Sequence, residues 1–444
     1  MPRWEEMTAG QKREELFRRW LEPEGCKFVD SAAAKAYKER ATRIRDVVEM
    51  RRVPDRVPVF LIPSLFPAFY SGLTPRDVMY DYDKTIAAWK KFIFDFQPDA
   101  HGGCVAPGPG PMFDILDYKL YSWPGHGVAP THSYQAIEGE YMKADEYDAF
   151  IADTAYFFSN VYPPRVYGAL APLSGLSDAS GIGEIYGLGF NFIPYGVPPV
   201  QAAFKALLDA GAEALKWVGA ISRFDADMKA SGFPPYQGGA TKAPFDMLGD
   251  TLRGTRGIML DLFRQPDKVL KAVDKLTPIM IRTGAASARA NGCPMVFIPL
   301  HKGADGFLSD EQFRKFYWPS LRDTLDGLIA EGVLPFCWAE GGYETRLQAI
   351  RDIPKGKTAW LFDQTDIGRA KQAIGDVACV GGTMSAALLN VGTVQQVRSH
   401  VKSCIDAAAK GGAYIMANGT FFDEVNPKNL KAMVEATKEY GVYK

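Results

Sequence analysis

Over the C-terminal half of the chain, short apolar runs alternate with longer segments whose apolar residues recur every three or four positions. The runs cover residues 295–300, 333–338, 358–362, 378–380 and 413–417, with helix-period segments such as 309–331 and 394–410 between them. Strand–helix alternation of this kind builds a parallel sheet with helices outside it. An earlier run, Arg56-Val57-Pro58-Val59-Phe60-Leu61-Ile62, carries the same buried-strand signal. From residue 57 to residue 415 the span suits an α/β protein with a single closed (β/α)8 TIM barrel. A doubly wound open sheet is the alternative.

Ahead of the first run, residues 4–21 and 32–52 pattern as two amphipathic helices, the second highly charged. The pattern thus divides the chain into an N-terminal helical extension, 1–55, and a barrel, 56–444. The middle is different. Residues 101–130 and 181–199 are so rich in glycine and proline that they read as long ordered loops. The glycines of 181–199 do not fit the GxGxxG spacing of a dinucleotide site.

Each late run ends in polar or small residues. His301, Lys302 and Asp305 follow Leu300; Glu340 follows Trp338; Asp363 follows Phe362; Thr383 follows Val380; and Asn418 follows Ala417. In a barrel the C-terminal strand ends face the active site, so His301, Glu340, Asp363, Thr383 and Asn418 are expected around one mouth.

The 444 residues carry a formal net charge of −1 with no basic or acidic block, which argues against nucleic acid and a polybasic membrane surface. The six cysteines are scattered without a CxxC, as in a reduced, cytoplasmic protein. Residues 1–10 are polar and acidic, unlike a signal peptide, and no apolar run reaches the length of a membrane span.

A carboxylate in an apolar mouth has a raised pKa and can hold a proton near neutrality, which suits Glu340 to acid–base work. Glu340 could equally pair with Arg346 or Lys302 and only shape its loop. Glu340 and His301, with Asn418 or Cys379, are candidate ligands of a metal such as zinc, which takes N, S or O donors tetrahedrally. Asp99 ends an aromatic run and is a further candidate catalytic residue, while His126 sits in a loop expected over the mouth. Asp246 and Asp250 either point inward or cap a helix. Phe66, Phe69, Tyr70, Trp123, Tyr186, Phe190, Phe192, Tyr195 and Trp338 suggest an aromatic-lined pocket for a flat ligand. Trp338, Asn418, Asp246, Phe307, Tyr343 and His126 are the expected substrate contacts.

Several stretches carry a family resemblance. They are GGATKAPFDMLGDTLRG (238–254), DLFRQPDKVLKAVD (261–274), FLSDEQFRKFYWPSL (307–321), NVGTVQQVRSHVKSCIDAAAKGGAYIMANG (390–419) and NPKNLKAMVEATKEYGVY (426–443). Over roughly 57–444 the chain resembles the uroporphyrinogen decarboxylase superfamily, which implies a (β/α)8 barrel. That superfamily holds porphyrinogen decarboxylases and corrinoid-linked methyltransferases. The decarboxylases carry an arginine-bearing motif near the first strand; here that region reads FLIPSLFPAFYSGLTP, without arginine. Their central Asp matches Asp99. The thiol methylases bind zinc through His-x-Cys and a late Cys; the same places read Trp338-Ala339-Glu340 and Asn418.

The resemblance is therefore closest to the corrinoid-dependent methyltransferase and O-demethylase branch. It implies transfer of a methyl group from a methoxylated or methylated aromatic small molecule to Co(I) of a corrinoid (cobalamin). A corrinoid protein would be the partner, and a homodimer is open. Glu340 and His301 would protonate or coordinate the leaving oxygen, with Asp99 and Asn418 orienting the substrate. A lyase acting on an aromatic or pyrrolic carboxylic acid, with Asp99 as catalyst and no corrinoid, is the alternative.

Overall fold

The computed structural model describes residues 3–176 and 184–443. Five parallel strands run in sequence order: β1 (Met295–Leu300), β2 (Leu334–Ala339), β3 (Ala359–Phe362), β4 (Cys379–Met384) and β5 (Tyr414–Asn418). Three shorter extended segments complete the ring. Val59 pairs in parallel with Met416 on β5, the Asp99 amide donates to the Val59 carbonyl at 2.9 Å, His101 pairs with Pro235, and Ala240 pairs with Phe297 on β1. The ring closes on itself, so the fold is the (β/α)8 barrel rather than the open sheet.

Alternation along each strand sorts its side chains between two cores. Met295, Phe297, Phe336, Trp338, Leu361, Ile415 and Ala417 fill the barrel interior together with Phe60, Ile62, Ala100 and Tyr236. Val296, Ile298, Cys337, Trp360, Val380 and Met416 face the surrounding helices. Each strand therefore reads as continuous apolar sequence, because both faces are buried.

Two N-terminal helices, α1 (Ala9–Leu21) and α2 (Ser31–Val48), start at Thr8 and Asp30, whose side chains accept from Gln11 N and Ala33 N as helix caps. Phe17, Trp20, Tyr37 and Ile44 from these helices join the interior cluster. Trp20 Nε1 donates to the Pro235 carbonyl at 2.8 Å, and Arg13 reaches the Gly356 carbonyl at 3.0 Å. These helices close the barrel at its N-terminal end.

Between His101 and Pro235 lies a long insertion that is more regular than its composition suggests. Gly110–Leu116 is helical and Tyr121–Pro124 is a strand, both inside the stretch expected to be loop. Ile185–Gly196 is also helical, against the expectation of a loop there, and leads into α3 (Pro198–Ala230). A glycine costs a helix only about 1 kcal/mol, which packing offsets. Here Tyr195 stacks on Phe204 of α3 at 5.9 Å, and Pro198 opens α3, where its missing N–H costs nothing. Residues 181–183 of the glycine-rich stretch lie outside the described residues.

Candidate active site

The inward parity of the strands carries past their ends. Residues 295 and 297 face in, so 301 does too; 336 and 338 face in, so 340 follows; 361 leads to 363. His301, Glu340 and Asp363 thus project above the barrel interior at its C-terminal mouth. Gly341, at φ +82°, turns the chain directly after Glu340, a conformation that favours glycine.

A helical turn after the third barrel segment supplies the rest. Pro244–Asp246 runs into a π-helical turn, Met247–Arg253, which aims Asp246 and Asp250 at the end of β1. Asp246 is fully buried and accepts from the His301 amide (3.0 Å), the Lys302 amide (2.8 Å) and the Tyr317 hydroxyl (2.7 Å). It fixes the backbone at the strand end. Burial, helped by the nearby Asp250 charge, pushes its carboxyl above the usual range.

Asp250 faces the ring. Its Oδ2 lies 2.6 Å from His301 Nδ1 and 3.0 Å from Lys242 Nζ, and its Oδ1 lies 2.8 Å from Lys302 Nζ. Burial works against its charge, but His301 and the two lysines outweigh burial and hold Asp250 far below the usual carboxylate range. Asp250 in turn holds Nδ1–H, which turns Nε2 of His301 toward Glu340, 3.7 Å away. Burial opposes the imidazolium, yet the Asp250 hydrogen bond and the charges of Asp246 and Glu340 raise His301 above its ordinary value. Glu340 is shifted upward, chiefly by burial; His301 opposes this and the carboxylates of Asp246, Asp363 and Asp250 reinforce it. Both side chains remain 34% exposed, so they are open to the mouth. Neither loop-shaping pairing of Glu340 forms: Arg346 engages Asp305 and Asp310, and Lys302 engages Asp250.

Other expected residues go elsewhere. Asp99 has the opposite parity to Ala100, points out of the barrel, and pairs with Arg43 (2.8 Å) and Arg56 (2.7 Å). It is a buried structural anion, not a mouth residue. Asn418, outward relative to Ala417, is buried; its Oδ1 accepts from the Ile62 amide and its Nδ2 donates to the Ile62 carbonyl, both at 2.9 Å, locking the first segment to β5. Trp338 does face inward but is wholly buried, donating to the Gly419 carbonyl at 2.5 Å beneath the Phe421 ring, whose centroid lies 4.3 Å away. Phe421, which the sequence reading missed, takes its place at the surface.

Tyr343 is buried behind β1, with its hydroxyl 3.3 Å from the Leu300 carbonyl. His126 belongs to the insertion, stacked on Trp123 and 2.9 Å from Asp114. Phe307 is exposed at the rim, with Lys302 Nζ 5.1 Å over its ring. Of the aromatics expected to line a pocket, Phe66 and Tyr70 pack into the core around Phe96, Phe190 and Phe192 face solvent, and the Tyr186 side chain lies outside the described residues.

The aromatic cavity is built from other residues. It holds about 440 Å³ above the first three segments, with Trp89, Phe92, Tyr134, Tyr236, Phe297 and Phe421 in its wall. The acid–base cluster is not part of that wall; the two occupy neighbouring arcs of one mouth.

A zinc site does not fit. A catalytic zinc takes three protein ligands. Among the described residues no group of three or more His, Cys, Asp or Glu is placed to hold a metal ion.

Residues 188–440 match the family described as Uroporphyrinogen decarboxylase (URO-D). The chain belongs to the URO-D family. Among solved structures, it is similar to a methyltransferase from Methanosarcina mazei, with a TM-score of 0.59 and 14% identity over 90% of this chain and 98% of that one. At that identity the likeness shows the shared fold. A B12-independent methionine synthase from Shewanella sp. W3-18-1 overlaps 45% of this chain and 60% of its own at 10% identity, with a TM-score of 0.31. No curated protein matches the chain. No helix among the described residues is long and apolar enough to cross a membrane.

Proposed function

We propose that the chain is a methyltransferase that takes a methyl group from a methoxylated or methylated aromatic small molecule. The acceptor is the Co(I) of a corrinoid on a separate protein. The observation that carries this reading is the Asp250–His301–Glu340 set beside an aromatic cavity at the mouth of a URO-D-family barrel. The Methanosarcina mazei methyltransferase, which shares the fold, adds support.

An ether oxygen leaves poorly unless a proton reaches it as the C–O bond breaks. Glu340 has the qualities of that donor: burial favours its protonated form, and it stays open to the mouth. His301, held by Asp250, stands beside Glu340 and steadies the carboxylate left after the proton is given up. When bound, the reduced corrinoid supplies the nucleophile that receives the methyl group. Phe307 and Phe421, 39% and 43% exposed at the rim, offer flat apolar faces that fit such a macrocycle.

Decarboxylation of a substrate with several carboxylates fits less well, since Lys242 and Lys302 are both engaged by Asp250 and Asp246, Glu340 and Asp363 lie close by. The test is anaerobic: mix the protein with Co(I) cobalamin and a panel of methoxylated aromatics, and follow methylation in the cobalt spectrum. Turnover with one donor, lost in Glu340→Gln, supports the reading. No turnover with any donor, even with a corrinoid protein supplied, sinks it, and carboxylic acids would then be assayed for CO2 release.

A further inference from the structure

The aromatic cavity carries a polar group that the fold leaves unused. Tyr236 stands in its wall, 2% exposed. Its ring is clamped in the barrel interior, stacked on Phe60 at 5.2 Å and tilted against Phe336 at 5.9 Å. The clamp fixes where the hydroxyl points. Gly102 leaves it room, since a Cβ there would collide with the Tyr236 hydroxyl oxygen.

Among the described residues that hydroxyl makes no hydrogen bond. Ser71, His101, Arg322 and Tyr443 hold the unpaired side-chain atoms that are sealed off. Tyr236 is not one of them, so its unpaired hydroxyl is open, and the space it opens on is the cavity. Burial pushes its pKa upward, so the phenol keeps its proton and stands as a donor. A hydroxyl in so buried a residue is costly to leave without a partner. An acceptor inside the cavity would satisfy it.

The rest of the lining bears on the charge of what enters. No lysine, arginine or histidine lines the cavity, and its acidic side chain is Asp423. The Leu65 amide donates to Asp423 Oδ1 at 2.8 Å, and the Ser133 hydroxyl donates to Oδ2. Each oxygen keeps a lone pair for a further donor. A carboxylate buried here would lose its water, find no cation and meet Asp423. Trp89, Phe92, Phe297 and Phe421 supply flat apolar wall. The 440 Å³ is ample for a substituted ring, since roughly 150 Å³ already takes benzene.

We infer that the cavity selects neutral methoxylated arenes over methoxylated benzoates, with Tyr236 donating to an oxygen on the ring and Asp423 turning carboxylates away. The methoxyl group rests on the proposed function; the charge preference stands on the cavity alone.

The test is calorimetric titration at neutral pH with 4-methoxybenzamide and 4-methoxybenzoate, which share a shape and differ in charge. No methyl acceptor is present. The amide should bind about tenfold or more tightly, given the cost of opposing like charges. Tyr236→Phe should keep the native unfolding midpoint and weaken the amide about two- to tenfold, the scale of one neutral hydrogen bond. Asp423→Asn should strengthen the benzoate and narrow the gap. Equal affinities in the native protein, or a tighter benzoate, overturn the proposal. So do amide binding unmoved in Tyr236→Phe, a gap unmoved in Asp423→Asn, and absence of binding by both ligands. A charge preference found here survives failure of the cobalt assay, which would sink methyl transfer alone. Cobalt methylation from a methoxybenzoate as readily as from its amide would overturn this inference and leave methyl transfer standing.

Discussion

Asp99→Asn separates two accounts of this residue. The resemblance makes Asp99 a catalyst; the structure makes it a structural counter-ion. Its Oδ1 accepts from Arg43 Nη1 (2.8 Å) and Arg56 Nη2 (2.7 Å), and its Oδ2 from Arg56 Nη1 (2.7 Å) and the Val59 amide (2.8 Å). Burial opposes ionisation, but the two guanidinium groups and the amide outweigh it and hold the carboxyl below its usual range. The asparagine keeps the shape, removes the charge and turns an NH2 toward donors. Arg43 retains Asp55, while Arg56 loses its only carboxylate among the described residues.

Removing one partner of a buried pair costs about 3–5 kcal/mol, because the remaining charge stays buried. Guanidinium-chloride unfolding at neutral pH should show a loss of that size. The native protein's advantage should shrink in acid. A depressed folded pKa contributes stability that is present above the unfolded value, about 3.9, and lost as pH falls through the folded one. The variant Asp99→Asn/Arg56→Met, which removes the stranded charge, should recover part of the loss. A variant with native stability and abolished turnover would refute this account and return Asp99 to the chemistry.

Glu340→Gln should lower kcat by about 10²–10⁴-fold, the usual worth of a general acid, with circular dichroism and unfolding midpoint close to native. With Glu340 as the acid, turnover should fall as pH rises through its elevated pKa, since the proton to be given is then absent; a flat alkaline limb would count against that role. Asp250→Asn removes the hydrogen bond that raises His301, so NMR titration should find the imidazole pKa lowered relative to native protein. Gly382→Ala places a Cβ 2.0 Å from the Phe362 carbonyl oxygen at φ +98°, and should destabilise the barrel by at least about 1–3 kcal/mol in denaturant unfolding.

The late strands and the two N-terminal helices were legible because burial on both faces and a helical period each write a local pattern. The first three barrel segments were harder. They are short, they pair through isolated bridges, and a long insertion separates two of them. At the mouth, identity was legible and parity was overlooked. His301 and Glu340 lie an even number of residues from Phe297 and Phe336, and so face inward. Asn418 lies one residue from inward Ala417 and Asp99 one from inward Ala100, so the pleat turns both away from the interior. Counting in twos from Phe297, Phe336, Ala417 and Ala100, which face the interior, sorts the four. Phe421 and the aromatic cavity carried no such signal, since residues distant in sequence build that wall.

Asp250 explains how one small cluster shifts two carboxyl groups in opposite directions. Asp246 and Asp250 are four residues apart on one helical turn, so both reach the end of β1, yet their surroundings differ. Asp250 gathers His301, Lys242 and Lys302 and stays ionised. Glu340, across the ring, pairs with no lysine among the described residues; burial shifts its carboxyl upward, and Asp246, Asp363 and Asp250 reinforce the shift. Titratable groups driven apart in this way suit the separate acid and base roles of the proposed function. The lysines therefore bear on Glu340 by being occupied elsewhere: a lysine free to reach it would favour its ionised form.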